Sequence, residues 1–422
     1  MRYPVHGFRE PAGGTPGESE LALITVSGND RQGLTAALTE VMGRYGVEVL
    51  DFGQAVIHDG LAWGMVIEVP AESVASPVFK ELLFTAHELG LNVRFTPISE
   101  EAYRAWVRDK GQPRHMITLL GRRIAAGDIA KVSRVVVEHG LNIDRIERLS
   151  GRIDREARSE RRRTAIEFSV RGAVPDLQVL HEAFLRISQE TTLDIAIQED
   201  NAFRRNRRLI CFDMDSTLIA AEVIDELARA AGVEAQVTAL TARAMNGEID
   251  FATSFRERLS LLRGLRVSDL QVIAEALPIT EGAERLIGNL QRLGYRIAII
   301  SGGFSYFAER LRERLRVDYV YAHELEIADG RLTGRILGEV IDGERKAALM
   351  REIARAEGLV LEQVIAVGDG ANDLPMLRIA GLGIAFHAKP AVTREARHAI
   401  ATLGLDGILY LLGMREREIH DA

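Results

Sequence analysis

The chain has little of what marks several classes of protein. Its 422 residues include a single cysteine, Cys211, so no internal disulfide can form and a reducing cytoplasm is the expected compartment. Cys211 itself sits in an apolar run and reads as a small buried residue. No apolar run approaches the roughly 18–20 residues that a membrane helix requires, so no membrane partner is expected. Residues 1–19 contain Pro11, Gly13, Gly14, Pro16 and Gly17 but no apolar middle section of a secretory signal, and they read as a flexible leader. Excess positive charge is also missing. The formal net charge is -8, which argues against nucleic acid as a partner. The one short basic run, Arg161-Arg162-Arg163, stands alone among acids and reads as a solvated hairpin loop. The ten histidines form no pair at metal-ligand spacing. What remains, 47% hydrophobic and 27% charged residues, is ordinary for a globular chain long enough for two or three domains.

Two stretches run through the same order of elements. In the first, residues 21–26 predict a strand, 33–45 a helix stopped by Gly46, 47–51 and 61–69 two strands, 73–89 a helix and 91–98 a last strand. Residues 115–120, 128–139, 141–144, 164–170, 175–189 and 192–197 repeat that order, with Gly140 in the place of Gly46. The expectation is two βαββαβ modules, over 20–98 and 114–200, each a four-stranded sheet beneath two helices. Residues 99–113 form a charged, helix-compatible linker. From residue 201 the pattern changes. Continuous apolar strand candidates at 209–212, 296–300, 319–321, 364–367 and 383–386 alternate with helical stretches, which predicts an α/β domain over 201–422 with a parallel sheet covered on both faces. Such sheets bind ligands at the C-terminal ends of their strands. Residues 221–277 interrupt the alternation with helical segments only, and read as a helical cap inserted after the first strand.

Polar chemistry gathers in four loops. Asp213-Met214-Asp215-Ser216-Thr217 follows the first apolar strand, and two carboxylates at i and i+2 there can face one site. Ser301-Gly302-Gly303 offers a hydroxyl and backbone N–H groups that a ligand could approach closely. Lys346 opens a helix, and Gly368-Asp369-Gly370-Ala371-Asn372-Asp373 ends another strand. Each loop has a plain reading: a surface turn, an ordinary glycine turn, a solvated lysine, a helix cap. Together they supply acids for a hard cation, donors for phosphate and a positive charge. Phosphoryl transfer needs little else beyond positioning and charge neutralisation.

These four loops resemble the signature motifs of the haloacid dehalogenase-like phosphatases. The Asp-x-Asp-Ser-Thr form, the helical insert and the run Gly368-Asp369-Gly370-Ala371-Asn372-Asp373-Leu374-Pro375-Met376-Leu377 are similar to those of the phosphoserine phosphatases within that family. The resemblance implies Asp213 as nucleophile and Asp215 as general acid/base. It implies one Mg2+ per site, held by Asp213, the Asp215 carbonyl and Asp369, with Asp373 supporting the metal shell. Ser301 and Gly302 would hold phosphate, Lys346 would balance its charge, and Asn372 would line the site. In the insert, Glu222 matches the family's acid that meets the substrate amine. Phe251 and Arg258 match its Phe-x(6)-Arg pattern, in which the arginine grips the carboxylate; a planar guanidinium suits that task. The substrate implied is O-phospho-L-serine.

The two N-terminal modules resemble ACT domains, small βαββαβ modules that bind amino acids. The stretch containing Asn29, Asp30, Arg31 and Gly33 fits that family's ligand loop. The second copy carries Gly121-Arg122-Arg123-Ile124-Ala125-Ala126-Gly127-Asp128 instead, without the Asn-Asp-Arg core. The resemblance implies an amino-acid effector and a homodimer.

Overall fold

Residues 19–70, 75–109, 111–152, 162–174, 176–245 and 248–421 are described by the computed structural model. The expected leader, apart from residue 19, and most of the basic loop at 153–161 lie outside the described residues. The chain divides into two compact units, residues 1–111 and 112–422.

The first unit contains β1 (Glu20–Asn29), α1 (Leu34–Arg44), β2 (Glu48–Ile57), β3 (Gly60–Val69), α2 (Ala75–Glu88), β4 (Asn92–Ile98) and α3 (Glu100–Asp109). Its sheet has the order β2-β3-β1-β4 and is antiparallel throughout. Period-2 alternation sets one face inward: Ala22, Ile24 and Val26 of β1 are buried with Leu38 and Met42 of α1 and Leu82 of α2.

The second unit opens with β5 (Arg114–Gly121), α4 (Ala126–Glu138), β6 (Asn142–Arg148), β7 (Thr164–Arg171), α5 (Leu177–Glu190) and β8 (Leu193–Glu199). The sheet order β6-β7-β5-β8 matches that of the first unit. The same unit continues through β9 (Leu209–Phe212) into the four cap helices α6 (Val223–Ala231), α7 (Glu234–Met245), α8 (Phe251–Leu261) and α9 (Val267–Ala276). There follow α10 (Ala283–Arg292), β10 (Arg296–Phe304), α11 (Ser305–Leu315), β11 (Tyr319–Ala328), β12 (Arg331–Leu337) and α12 (Gly343–Ala356). The last elements are β13 (Val364–Gly368), α13 (Leu374–Ile379), β14 (Leu382–Phe386), α14 (Pro390–Glu395), β15 (His398–Ile400) and α15 (Gly407–Leu411). The seven-stranded sheet runs β12-β11-β10-β9-β13-β14-β15, parallel except for β12. Its central strand, β9, is fully buried along its whole length, which is why it reads as a continuous apolar run.

Two parts of this sheet exceed the sequence expectation. The strand expected at 319–321 continues to Ala328 and folds back as β12 through Asp329-Gly330, both at positive φ (50° and 72°), the geometry of a tight hairpin turn. The short edge strand β15 was not expected. The cap is tied down where it enters and leaves the sheet: Ile219 and Ile279 form an antiparallel bridge, Ala220 N–H donates to the Pro278 carbonyl at 2.9 Å, and Thr280 N–H donates to the Leu218 carbonyl at 3.0 Å.

Candidate active site

The C-terminal ends of β9, β10 and β13 converge. Asp213 directly follows β9, and its N–H donates to the Val367 carbonyl of β13 at 2.9 Å. Its Oδ1 accepts from Met214 N–H at 2.7 Å, and its Oδ2 lies 2.9 Å from Lys346 Nζ. The chain then makes a tight coil through Met214–Leu218 with Ser216 in the left-handed region at φ 53°. That turn lets the Ser216 hydroxyl donate to Glu222 Oε1 at 2.7 Å, and it returns Asp215 to the same opening as Asp213. Asp215 Oδ1 accepts from Val223 N–H at 3.0 Å, at the start of α6.

The loop after β10 lies against Asp215. A Cβ built on Gly303 would come within 2.6 Å of both Asp215 Oδ2 and Met214 Cε, so any larger residue here would push those side chains from their places. Gly303 N–H donates to Ser301 Oγ at 3.0 Å, and Ser301 is fully buried. Lys346, fully buried in the first turn of α12, lies 2.7 Å from Asp373 Oδ1 as well as near Asp213. Burial alone would lower its pKa, but the charges of Asp213 and Asp373 override that and hold the ammonium above its ordinary value. Burial pushes Asp373 upward against the pull of Lys346; the short Nζ–Oδ distance favours the ionised pair. Asp373 uses its other oxygen to accept from Gly370 N–H at 3.0 Å, so it braces the loop and does not cap α13, the plain reading of its position.

Negative charge is in excess here. Burial, then Asp373, Asp213 and Glu222, raise Asp369 to about 7. Burial, then Glu222 and Asp213, raise Asp215 well above the ordinary carboxylate range, although the residue keeps some exposed surface at the opening. Glu222 is solvent-accessible, yet the surrounding protein raises its carboxyl too, with Asp213 and Asp225 adding to the effect. Carboxylate oxygens of Asp213, Asp369 and Asp373 lie within 4.8 Å of one another, an acidic group able to hold a metal ion. An all-oxygen donor set with uncompensated charge fits a hard divalent cation.

Arg258 lies on cap helix α8, half-buried, with Nη1 3.4 Å from Thr241 Oγ1. Burial lowers its pKa, while Asp225 and Glu222 oppose that shift. Phe251 begins the same helix, but its side chain lies outside the described residues. Asn372 is half-buried beside Asp373. Asn29, Asp30, Arg31 and Gly33 belong to the other compact unit. There Asp30 N–H donates to the Asp59 carbonyl at 2.7 Å, Arg31 donates to the Leu89 carbonyl, and Gly33 enters α1 at φ 89°. The corresponding entry in the second module is built differently: Ala125 is extended, and Asp128 accepts from its N–H at 2.8 Å.

Three residues of this site were not singled out by the sequence analysis. Ser216 orients Glu222, Thr217 Oγ1 lies 3.4 Å from Asp369 Oδ1, and His323 donates to the Gly302 carbonyl. The first two lie within the Asp-x-Asp-Ser-Thr motif and could have been found there. His323 is a lone histidine in a strand and carried no signal.

Residues 210–378 match the haloacid dehalogenase-like hydrolase family, and residues 20–96 and 113–198 each match an ACT domain. The chain is 40% identical over 404 residues to a phosphoserine phosphatase of Mycobacterium tuberculosis, covering 95% of each chain. It is 38% identical over 401 residues to a phosphoserine phosphatase of Streptomyces coelicolor, covering 95% of this chain and 94% of that one. Among solved structures, a probable phosphoserine phosphatase from Vibrio cholerae superposes with a TM-score of 0.56 at 34% identity, over 71% of this chain and 86% of that one. A haloacid dehalogenase family hydrolase from Salmonella enterica serovar Typhi gives 0.60 at 29% identity, over 70% and 98%.

Proposed function

The chain belongs to the phosphoserine phosphatases, within the haloacid dehalogenase-like hydrolases, and from that membership we propose that it hydrolyses O-phospho-L-serine to L-serine and phosphate, the last step of serine biosynthesis. Residues 201–422 are the phosphatase domain, with the cap at 221–277. Residues 20–98 and 114–200, joined by 99–113, are its ACT modules. The observation that carries the reading is the pairing of Asp213 with buried Lys346, beside a second carboxyl, Asp215, whose pKa is raised.

Asp213 Oδ attacks phosphorus, and the bond from phosphorus to the seryl oxygen breaks. Asp215, whose carboxyl is pushed upward by burial and by the charges of Glu222 and Asp213, passes its proton to that oxygen. Water then attacks the aspartyl phosphate, Asp215 takes up its proton, and phosphate leaves Asp213. Ser301 and Gly302 cradle the phosphate, Lys346 offsets its charge, and Asn372 lines the site. Asp213, Asp369 and the Asp215 carbonyl would hold one Mg2+, with Asp373 bracing that shell. Such a cation withdraws charge from the phosphate oxygens when bound. Glu222 takes the ammonium group and Arg258 the carboxylate, and Phe251 is the third substrate-binding residue of the cap.

Asp213→Asn keeps the side-chain volume and removes the nucleophile, so turnover should fall by at least about 1,000-fold with the melting temperature little changed. Phosphate release across a panel of esters tests the substrate; equal activity on glycolate phosphate would sink the assignment. An amino acid, serine in our reading, binds at Asn29, Asp30, Arg31 and Gly33. Calorimetry on the full chain that shows no heat with serine removes that part. A homodimer is supported by β2, an edge strand on which Val49, Phe52, Val56 and Ile57 are exposed. No described helix is long and apolar enough to cross a membrane, and we assign the enzyme to the cytoplasm.

A further inference from the structure

His323 lies on β11 with 2% of its surface exposed. Its Nε2 is 2.7 Å from the backbone nitrogen of Ile341. A backbone N–H can only donate, so Nε2 is the acceptor and the ring proton sits on Nδ1. Nδ1 then donates to the Gly302 carbonyl at 2.9 Å. Burial lowers the pKa of this ring, in keeping with the neutral form that the two bonds demand. One imidazole therefore joins two loops of the active site. Gly302 belongs to Ser301-Gly302-Gly303. Ile341 immediately precedes Asp342, the N-cap of the helix that carries Lys346.

The β-ladder explains why a side chain is needed there. β10 pairs with β11 regularly through Ile300, opposite Tyr321, and resumes only at Phe304, opposite His323. Residues 301–303 bulge away from that ladder, so their position is not set by regular strand pairing. The ring also packs on Phe255 of α8, with centroids 4.6 Å apart, and α8 is the cap helix bearing Arg258.

We propose that His323 is a positioning residue for the hydrolysis: it holds the Ser301-Gly302-Gly303 loop in register with the lysine-bearing helix, on the surface where the cap helix α8 docks. This rests on reading that loop as the phosphate cradle. Removing the ring leaves a buried carbonyl and a buried N–H without partners, a change that typically weakens what depends on it by about tenfold to a hundredfold.

The test uses the full chain at saturating Mg2+ and compares H323L, H323N, H323Q and L325A. Leu325 is a buried residue on the same strand and serves as the control. H323L keeps the volume but neither bond, so KM for phosphoserine and the inhibition constant for inorganic phosphate should rise together by about 10- to 100-fold, with kcat changing less. H323N can still donate toward Gly302 and should recover most of that loss, whereas H323Q should not. L325A should lower the melting temperature while leaving the phosphate constant within about twofold. A folded H323L within about threefold of wild type overturns the proposal, as does L325A shifting the phosphate constant equally. If H323L does not fold, H323N and H323Q decide, and equal phosphate constants in the two overturn it. A wild type that inorganic phosphate does not inhibit competitively would instead remove the cradle reading, and this proposal with it.

Discussion

The two ACT modules share an element order and a sheet topology, yet they bury their strands differently. In the first, β1 alternates between buried and half-buried residues from Leu21 to Val26, and β4 is nowhere fully buried. In the second, β5 is buried from His115 to Gly121 and β8 from Leu193 to Gln198. The difference lies on the sheet face away from the helices. In the second module that face packs on the catalytic domain: Leu120, Leu149, Ala165 and Ala196 share one buried cluster with Phe212, Leu409 and Tyr410. The polar residues of that face are buried as well. Gln198 donates to the Leu411 carbonyl at 2.9 Å, and Asp194 accepts from the N–H and hydroxyl of Thr402 at 2.9 and 2.6 Å. Arg122 forms a two-pronged pair with Glu281, two residues beyond Ile279 of the bridge that closes the cap. Arg285 and Arg163 meet at buried Asp406. Two copies of one pattern thus became different objects, one whose β1 and β4 keep accessible residues on one face and one whose β5 and β8 are built into the enzyme's core.

The largest expected consequence lies in the buried pair of Glu167 and Arg204 at this seam. Arg204→Ala strands a buried carboxylate and should cost about 3–5 kcal/mol in denaturant unfolding of the second unit. The exposed pair of Arg44 and Glu81 in the first module is the contrast, and Arg44→Ala should cost about 0–1 kcal/mol. Equal losses would break the distinction between the modules.

A smaller effect follows from His398 of β15, beside the second module. Burial, then the charges of His181, Arg207 and Arg397, lower its pKa from 6.5 to about 3. The folded value lies below the unfolded one, so the folded state binds fewer protons. Stability is whole above pH 6.5 and falls as the pH drops from 6.5 toward 3. At pH 5 the loss should be about 2 kcal/mol, seen as a falling melting temperature for the second unit that His398→Gln flattens. A first module that softens just as much with acid would argue against a seam effect.

The smallest change in stability is expected at the open edge of the first module. Ile57→Lys, at an exposed position, should shift unfolding by no more than about 0.5 kcal/mol. It should nevertheless convert a dimer to monomer in light scattering, since a charge on an edge strand opposes pairing. A dimer that survives the substitution moves the interface elsewhere.

The contrast also shows how far pattern reading reaches. Alternation in Leu193-Asp194-Ile195-Ala196-Ile197-Gln198 signals a strand with one apolar face, and β8 is that strand. The same alternation suggests that Asp194 and Gln198 face water, whereas both are buried against the catalytic domain. Periodicity reports which residues share a face, not what covers it. The site divides similarly. Asp213, Asp215, Lys346, Asp369 and Asp373 were legible because each lies beside a recognisable strand end or helix start. His323 was not, because its partners are backbone atoms of Gly302 and Ile341, and no side-chain pattern records them.

By itself, then, the amino-acid sequence determined the element order, the repeated module, the parallel strands and the acids at their ends, since these depend on local period and on residues near in the chain. Tertiary structure alone decided that one module is built into the catalytic core, that Asp373 braces a loop instead of capping a helix, and that Ser301-Gly302-Gly303 is held by a histidine. Those outcomes turn on contacts between distant segments, where burial and backbone hydrogen bonding choose the partner.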